Sequence, residues 1–430
     1  ALRGARRAGR ELAALPRHTR AGILDRVSRA IADERAALAR LIAEDAGKPV
    51  TFALAEVDRA VTTFRIAAEE ARRFGVAAYP ADTEPRGVGY TAVAERFPVG
   101  VIAAISPFNF PLNLVAHKVA PALATGNAVV LKPPPQAPLA AFRLAELVTA
   151  AGAPAGALQV LHLPIPLAER LATDPAVALL SFTGSARVGW HLKEVAARKR
   201  VVLELGGNAA AIVHRDAGDL SALAERIAWG AFGYAGQVCI KVQRLLVDAA
   251  VARRFTRLVV DAARRLPAGD PRDARTVVGP MIDAAAVERV RAWIAEAATA
   301  GARVLLRGSL RRRLLRPTIL DRVPADTRVW REEVFGPVLT VTPYRDWDEA
   351  VELANDGPYG LQAGVFTHDT RRVRDAFQRL EVGGVVVNDL PTLRLDHLPY
   401  GGVKASGFGR EGVRSAMAEM TEERVLLMKP

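Results

Sequence analysis

Apolar residues recur at helical spacing in two long stretches early in the chain. Ile23, Val27, Ile31, Leu38 and Leu41 fall near the 3.6-residue period and predict one helix over 18–46, stopped by Gly47 and Pro49. A second helix is predicted over 54–74. From Thr83 to Glu95 the pattern turns extended and half polar, as in Tyr90-Thr91-Ala92-Val93, and predicts an exposed hairpin projecting from a domain.

The rhythm then changes. Short apolar runs at 99–105, 128–131, 158–161 and 177–182 alternate with helical patterns at 112–125, 138–152 and 166–173. Such alternation with short links predicts a parallel sheet covered by helices on both faces. Two further runs, 201–205 and 209–213, flank Gly206-Gly207. A second α/β region extends from Leu220 to about Asn388. Its predicted helices are 222–234, 251–265, 284–300 and 368–380, and its strands include 245–247, 302–306, 336–342 and 383–388. The apolar run Glu423 to Met428 predicts a terminal strand that needs a partner sheet, which another subunit can supply.

At 430 residues the chain is too long for one ordinary core. The formal net charge of +13 is mostly Arg, dispersed along amphipathic helices, with the densest run at Arg311-Arg312-Arg313. Only 6% of residues are aromatic and no basic stripe or known module is visible, so no nucleic-acid partner is expected. The charge can still attract anionic ligands. No run of 18 apolar residues suggests a membrane span. The single cysteine excludes a disulfide framework and fits a reducing compartment, so a cytoplasmic location is expected. The chain opens without Met, inside a helical pattern, and upstream residues are expected to precede it.

The candidate chemistry gathers where strands end, which is where ligands sit in open α/β sheets. Lys132 closes one strand; Thr183-Gly184-Ser185 closes another and opens a helix, offering free backbone N–H groups to an anion. Ser185 reads equally well as an ordinary helix N-cap. The spacing Gly184 to Gly189 is a weak signal, and the Gly-x-Gly-x-x-Gly fingerprint is absent here. Glu204 ends an apolar strand, where a carboxylate is either salt-bridged or raised in pKa and available as a base. Asn109, between Pro107 and Pro111, is either a turn residue or an oxyanion donor. Cys239, in Gly236-Gln237-Val238-Cys239, is either a small buried hydrophobe or a nucleophile. No metal ligands are assigned.

The order of these pieces discriminates. Pro107-Phe108-Asn109-Phe110-Pro111, Leu131-Lys132-Pro133, Phe182-Thr183-Gly184-Ser185, Leu203-Glu204-Leu205-Gly206-Gly207-Asn208, Gly236-Gln237-Val238-Cys239, Glu332-Glu333-Val334-Phe335-Gly336-Pro337 and Pro399-Tyr400-Gly401-Gly402 follow one another. This series closely resembles the aldehyde dehydrogenase superfamily, from about residue 20 to the end. The resemblance implies an α/β fold with a Rossmann-like cofactor domain (1–81 and 99–206), a second α/β catalytic domain (207–409) and a small β oligomerisation arm with bridging segments (82–98 and 410–430). It implies oxidation of a small-molecule aldehyde with NADP or NAD through a cysteine thioester, in a homodimer or homotetramer.

Residue by residue, the resemblance makes Cys239 the nucleophile and Glu204 the base that activates the hydrolytic water. Asn109 and the Cys239 N–H would hold the oxyanion, with Lys118 a relay or positioning group and Glu411 an acid behind them. Lys132 would reach the adenosine ribose, Ser185 beside Gly184 the pyrophosphate, and Glu333 the nicotinamide ribose, with Gly206 and Phe335 alongside. One departure stands out. NAD-preferring members often carry Lys-Pro-Ser-Glu, whereas this chain has Lys132-Pro133-Pro134-Pro135. With no carboxylate there to repel a 2′-phosphate, and Arg187 in the following helix turn, NADP is expected to be accepted. In the loop 388–397, Arg394 and His397 are candidates to meet an anionic or hydroxylated substrate, as in relatives acting on lactaldehyde and similar small polar aldehydes. Arg394 reads equally well as the partner of Asp389 or Asp396. Competing functions are an acylating, CoA-dependent relative, against which Glu204 argues, and a cysteine hydrolase, for which none of the seven His stands in a partner motif. A silent scaffold protein is the non-enzyme alternative.

Overall fold

The computed structural model describes residues 1–429. Four helices open it: Leu2–Ala14, Arg17–Asp33, Arg35–Ala46 and Val50–Arg73. The single helix expected over 18–46 is two. The break falls at Glu34 (φ −96°, ψ 15°), whose carboxylate receives Arg143 Nε at 2.8 Å from the neighbouring helix Leu139–Ala150. Ile23, Val27 and Ile31 before the break and Leu38 and Ile42 after it enter the same core. The apolar period therefore runs on although the backbone does not. Gly47, left-handed at φ 67°, ends the second half.

The first sheet has six strands in the order Gly407–Phe408, Arg200–Glu204, Leu179–Thr183, Val101–Ile105, Ala128–Lys132 and Leu158–Val160. All neighbours are parallel except the short first strand. From Val101–Ile105 the chain winds outward one way, then returns to place Leu179–Thr183 on the other side. The order reverses between these two strands, and a ligand crevice belongs at that point. The second sheet has seven strands: Arg303–Leu306, Thr318–Asp321, Val338–Tyr344, Arg244–Asp248, Ala210–Val213, Gln362–Phe366 and Gly384–Val387. It is parallel apart from the first pair.

A third, antiparallel sheet joins Val76–Tyr79, Thr91–Pro98 and Thr421–Met428. The hairpin expected over 83–95 is thus wider: Gly75 turns the chain at φ 89°, strands form at 76–79 and 91–98, and a 3₁₀ turn at Pro85–Gly87 lies in the link. The terminal strand pairs within its own chain, from Thr91 opposite Met428 to Pro98 opposite Thr421. The segment 410–430, expected to act as one bridging piece, divides. Helix Val413–Glu419 sends Val413, Ala416 and Met417 into the first core, and only the strand after it joins the small sheet. Among the described residues no helix is long and apolar enough to cross a membrane.

Candidate active site

A cavity of about 850 Å³ lies between the two large sheets, at the carboxyl ends of the first sheet's central strands. Cys239, Glu204, Asn109, Gly184, Ser185, Arg187, Gly206, Glu333, Phe335 and Arg394 all line it. Lys118 and Glu411 sit one layer behind. Lys132 and Pro135, after strand Ala128–Lys132, and His397 do not reach its wall.

Cys239 is delivered by a strained turn. Helix Leu220–Phe232 starts on an Asp219 cap, which accepts from Ser221 N and Ala222 N, and stops two residues earlier than its pattern predicts. Tyr234, Ala235 and Gly236 then adopt three consecutive left-handed conformations, at φ 52°, 54° and 65°. Each non-glycine residue there costs about 1–2 kcal/mol. At Gly236 a Cβ would collide with the carbonyl oxygen of Gly336. Gln237 holds the turn: its Oε1 accepts from Ile282 N at 2.8 Å, and its Nε2 donates to Tyr234 O and Pro280 O, both at 3.3 Å. The thiol emerges among Val238, Ile240, Leu361 and Tyr400. Burial, with Glu333 and Glu204 nearby, pushes its pKa up to about 12, against the opposing pull of Tyr400 and Arg394.

Glu204 closes its strand as the pattern predicts, yet neither carboxylate oxygen has a hydrogen-bond partner. Burial, then the charge of Glu411, raises its pKa well above the ordinary carboxylate range, while Arg394, Lys118 and Arg410 oppose this. Glu411 is the contrast. Burial alone would raise it, but Lys118 and Arg394 outweigh that and hold it at about 2. Lys118 Nζ donates to Glu411 Oε1 at 3.0 Å and to Ser181 Oγ at 2.9 Å. Of two neighbouring carboxyls, Glu411 is held low and Glu204 is pushed up, and such separation sets the two groups to different tasks.

Asn109 sits on a loop clamped from below. Lys48, fully buried, donates to the Asn109 carbonyl at 2.9 Å and to Glu56 Oε2 at 2.6 Å. Glu56 Oε1 in turn accepts from Leu112 N (2.8 Å) and Asn113 N (3.0 Å) at the start of helix Asn113–Thr125. The ammonium also lies 3.4 Å from the Phe110 ring centre. The side-chain Oδ1 of Asn109 has no partner and the side chain lines the cavity.

The loop 388–397 is pinned by Asp396. Arg59 donates to it from both Nη2 (2.6 Å) and Nε (3.0 Å), and His117 Nε2 lies 2.8 Å away. Sinking Asp396 turns Leu395 and His397 outward, so His397 is exposed and lies off the cavity wall. Arg394 points in: its side chain is 5% exposed and Nη2 donates to Glu411 at 3.0 Å. Asp396 is only a distant second partner at 3.8 Å, and Asp389 pairs with Arg226 instead. That 3.8 Å approach is made by the Nε of Arg394, which has no hydrogen-bond partner. Tyr400 carries the Arg394 guanidinium 3.8 Å from its ring centre and places its hydroxyl 3.8 Å from Cys239 Sγ. The motif containing Tyr400 stands in the sequence, but its contact with a thiol 161 positions away does not.

Comparison with known proteins follows this geometry. The model of the aldehyde dehydrogenase family matches residues 1–426. The chain belongs to the aldehyde dehydrogenase family. It is 44% identical over 391 residues to a 3-sulfolactaldehyde dehydrogenase of Priestia aryabhattai, covering 91% of this chain and 82% of the relative. Among solved structures it is similar to aldehyde dehydrogenase 21 of Physcomitrella patens in complex with the reaction product succinate, with a TM-score of 0.97 and 39% identity, covering 100% of this chain and 89% of that one. A glyceraldehyde-3-phosphate dehydrogenase of Methanocaldococcus jannaschii complexed with NADP aligns with a TM-score of 0.95 and 37% identity, over 100% and 93% of the two chains.

As an NAD(P)-dependent aldehyde dehydrogenase, the chain must accommodate a dinucleotide, and its cavity wall fits one. Ser185 is the N-cap of helix Ala186–Val195, but its hydroxyl makes no capping bond. The first-turn amides and that hydroxyl are therefore free for a diphosphate. The buried hydroxyl of Thr183 has no partner and faces the same space. Gly206 leaves room for Glu333, whose Oε2 would lie 2.5 Å from any Cβ there. Glu333 Oε1 accepts from Gly207 N at 3.1 Å, and burial raises its pKa to about 7. Phe335 meets Phe108 edge-on at 5.8 Å. Arg289 and Trp293 complete this wall and carried no motif in the sequence.

Proposed function

We propose that this chain oxidises a small anionic aldehyde to its carboxylate, with Cys239 as nucleophile and Arg394 receiving the anionic group. Arg394 carries the reading: a buried guanidinium on the wall shared with Cys239, tied by Nη2 to Glu411 and without a hydrogen bond at Nε, from which Asp396 stands 3.8 Å away. A buried donor without an acceptor is costly, and a ligand carboxylate, sulfonate or phosphate would satisfy it. The relatives' names support this class, since sulfolactaldehyde, glyceraldehyde-3-phosphate and the product succinate all carry an anion.

The Cys239 thiolate attacks the carbonyl carbon, and the electron pair displaced onto oxygen is held by the Asn109 amide and the Cys239 N–H. A nicotinamide dinucleotide bound here would be held by Ser185 and Glu333 and would supply the hydride acceptor. Oxidation of the adduct leaves a thioester on Cys239. Glu204 then takes a proton from water, hydroxide adds to the thioester carbonyl, and the thiolate departs. Lys118 and Glu411 keep a fixed charge behind Glu204. We assign residues 1–81 and 99–206 to cofactor binding and 207–409 to catalysis. Lys132 and Pro135 stand at the adenosine end, where the absence of a carboxylate lets NADP bind; the ratio of kcat/KM for NADP and NAD tests this. The exposed Val425, Leu426, Leu427 and Met428, beside Val76 and Tyr79, support a homodimer or homotetramer, measurable by light scattering. The lone cysteine supports a reducing, cytoplasmic setting.

The decisive experiment is Arg394→Met assayed on succinic semialdehyde and on butanal. We expect kcat/KM to fall about 100-fold for the anionic substrate, the loss of about 3 kcal/mol of charge-assisted binding, and no more than about tenfold for the neutral one. Equal losses on both would refute an anion-binding role.

A further inference from the structure

The surroundings of Cys239 are hostile to a thiolate. Val238, Ile240 and Leu361 pack around it, and the carboxyl groups of Glu333 and Glu204 face it. Two groups oppose this, Tyr400 and, in the loop 388–397, Arg394. The Tyr400 hydroxyl lies 3.8 Å from Sγ and is the sulfur's one hydrogen-bond partner among the described residues. The Arg394 guanidinium is stacked 3.8 Å from the centre of the same ring and is tied in place by Glu411.

We propose that Tyr400 is a catalytic residue whose hydroxyl donates to the Cys239 sulfur and makes the thiolate available, with Arg394 acting on it through the ring. The proposal rests on Cys239 being the nucleophile. A hydrogen bond to the charged form of a thiol favours that form, and the thiolate is the reactive species. A cation held over the ring face draws electron density from the phenol and makes its O–H a stronger donor. Tyr400 remains a donor because burial, then the nearby Cys239, keep its own ionisation well above the usual range.

The proton stays on Tyr400 throughout. When sulfur attacks, its electron pair becomes the C–S bond, the carbonyl pair moves to oxygen, and the hydroxyl loses its acceptor. When the thioester is hydrolysed the C–S bond breaks, the pair returns to sulfur, and the hydroxyl receives it again. The same donor therefore serves the nucleophile on entry and the leaving group on exit. A phenylalanine at 400 would keep the ring, the packing and the Arg394 stack, and remove one oxygen. The other charges facing the site would be unchanged: Glu333 after helix Arg328–Arg331, Glu204 at its strand end, Arg394 on the loop, and Lys118, Arg410 and Glu411 around Glu204.

The test is alkylation of the cofactor-free full chain by iodoacetamide from pH 6 to 10, followed by intact mass. Cys239 is the sole cysteine, so each modification reports it alone. Throughout this range the thiol lies below its midpoint, so the rate at each pH reports the thiolate fraction. Tyr400→Phe is expected to slow alkylation about tenfold at every pH, the equivalent of about one pKa unit. Replacing Tyr400 with 3,5-difluorotyrosine, a stronger donor of nearly the same shape, is expected to speed it. A Tyr400→Phe profile superimposed on that of the parent would overturn the proposal. Should that variant not fold, an unchanged rate in the fluorinated protein overturns it equally. Aldehyde oxidation that survives Cys239→Ser would instead overturn the nucleophile reading beneath it.

Discussion

One buried carboxyl group lines the cavity and another sits beneath its Asn109 loop, and they are treated in opposite ways. Glu56 is fully partnered: Lys48 on one oxygen and two backbone N–H groups on the other. Glu204 has no hydrogen-bond partner at all. Both are almost completely buried. The satisfied one fixes a loop, because every bond it makes would have to break before Asn109 moved. The unsatisfied one fixes nothing and keeps both oxygens free for a water. In this molecule burial alone does not separate scaffold from chemistry; the count of partners does.

The sharpest way to break that comparison is to remove each charge and ask what is lost. Glu204→Gln should cut steady-state turnover about 1,000-fold while leaving a first-turnover burst of reduced cofactor, because only hydrolysis of the thioester needs the base. Stopped-flow absorbance separates the two, and loss of the burst would show that Glu204 acts earlier. Lys48→Met should cost about 3–5 kcal/mol of stability, measured by urea unfolding, because it strands a buried carboxylate. Adding Glu56→Gln should recover part of it.

A smaller effect sharpens the same contrast through pH. The pKa of Glu204 is higher in the folded chain than in the unfolded one. Between the two values the folded chain holds a proton that the unfolded chain has released. Its contribution to stability is thus complete below the unfolded value and is lost as pH rises through the folded one. Glu204→Gln should remove that loss, so the variant should gain stability relative to the parent on going from pH 5 to pH 9. The smallest effect is expected at Arg59, which is half-exposed beside Asp396. Arg59→Ala should raise KM for the anionic substrate a few-fold, with kcat nearly unchanged, because it loosens the loop that carries Arg394.

The parallel sheets and the strand-end placement of Glu204 were legible because apolar runs and turn glycines lie next to each other in sequence. Cys239, Asn109 and Ser185 could be placed near the cavity for the same reason, each standing in the loop that follows an element. The break at Glu34 was hidden because the apolar period continues through it. His397 misled because a loop has no period; what orients it is the burial of Asp396 by Arg59, 337 positions away. Lys48 and Glu56 gave no signal at all, since the Asn109 loop they clamp is 61 positions downstream of Lys48. Long-range polar contacts of this kind decide the site, and only the folded chain brings them together.

The strand Gly407–Phe408 has a consequence for the order in which the protein is made. It completes the first sheet beside Arg200–Glu204, and the helix after it fills the first core. A core that takes in helix Leu2–Ala14 is therefore closed by helix Val413–Glu419, which follows the second α/β unit in sequence. The N-terminal half cannot finish folding during its own synthesis, and must wait, incompletely covered, for the second α/β unit to be translated. Such late closure favours slow folding and a need for chaperone cover.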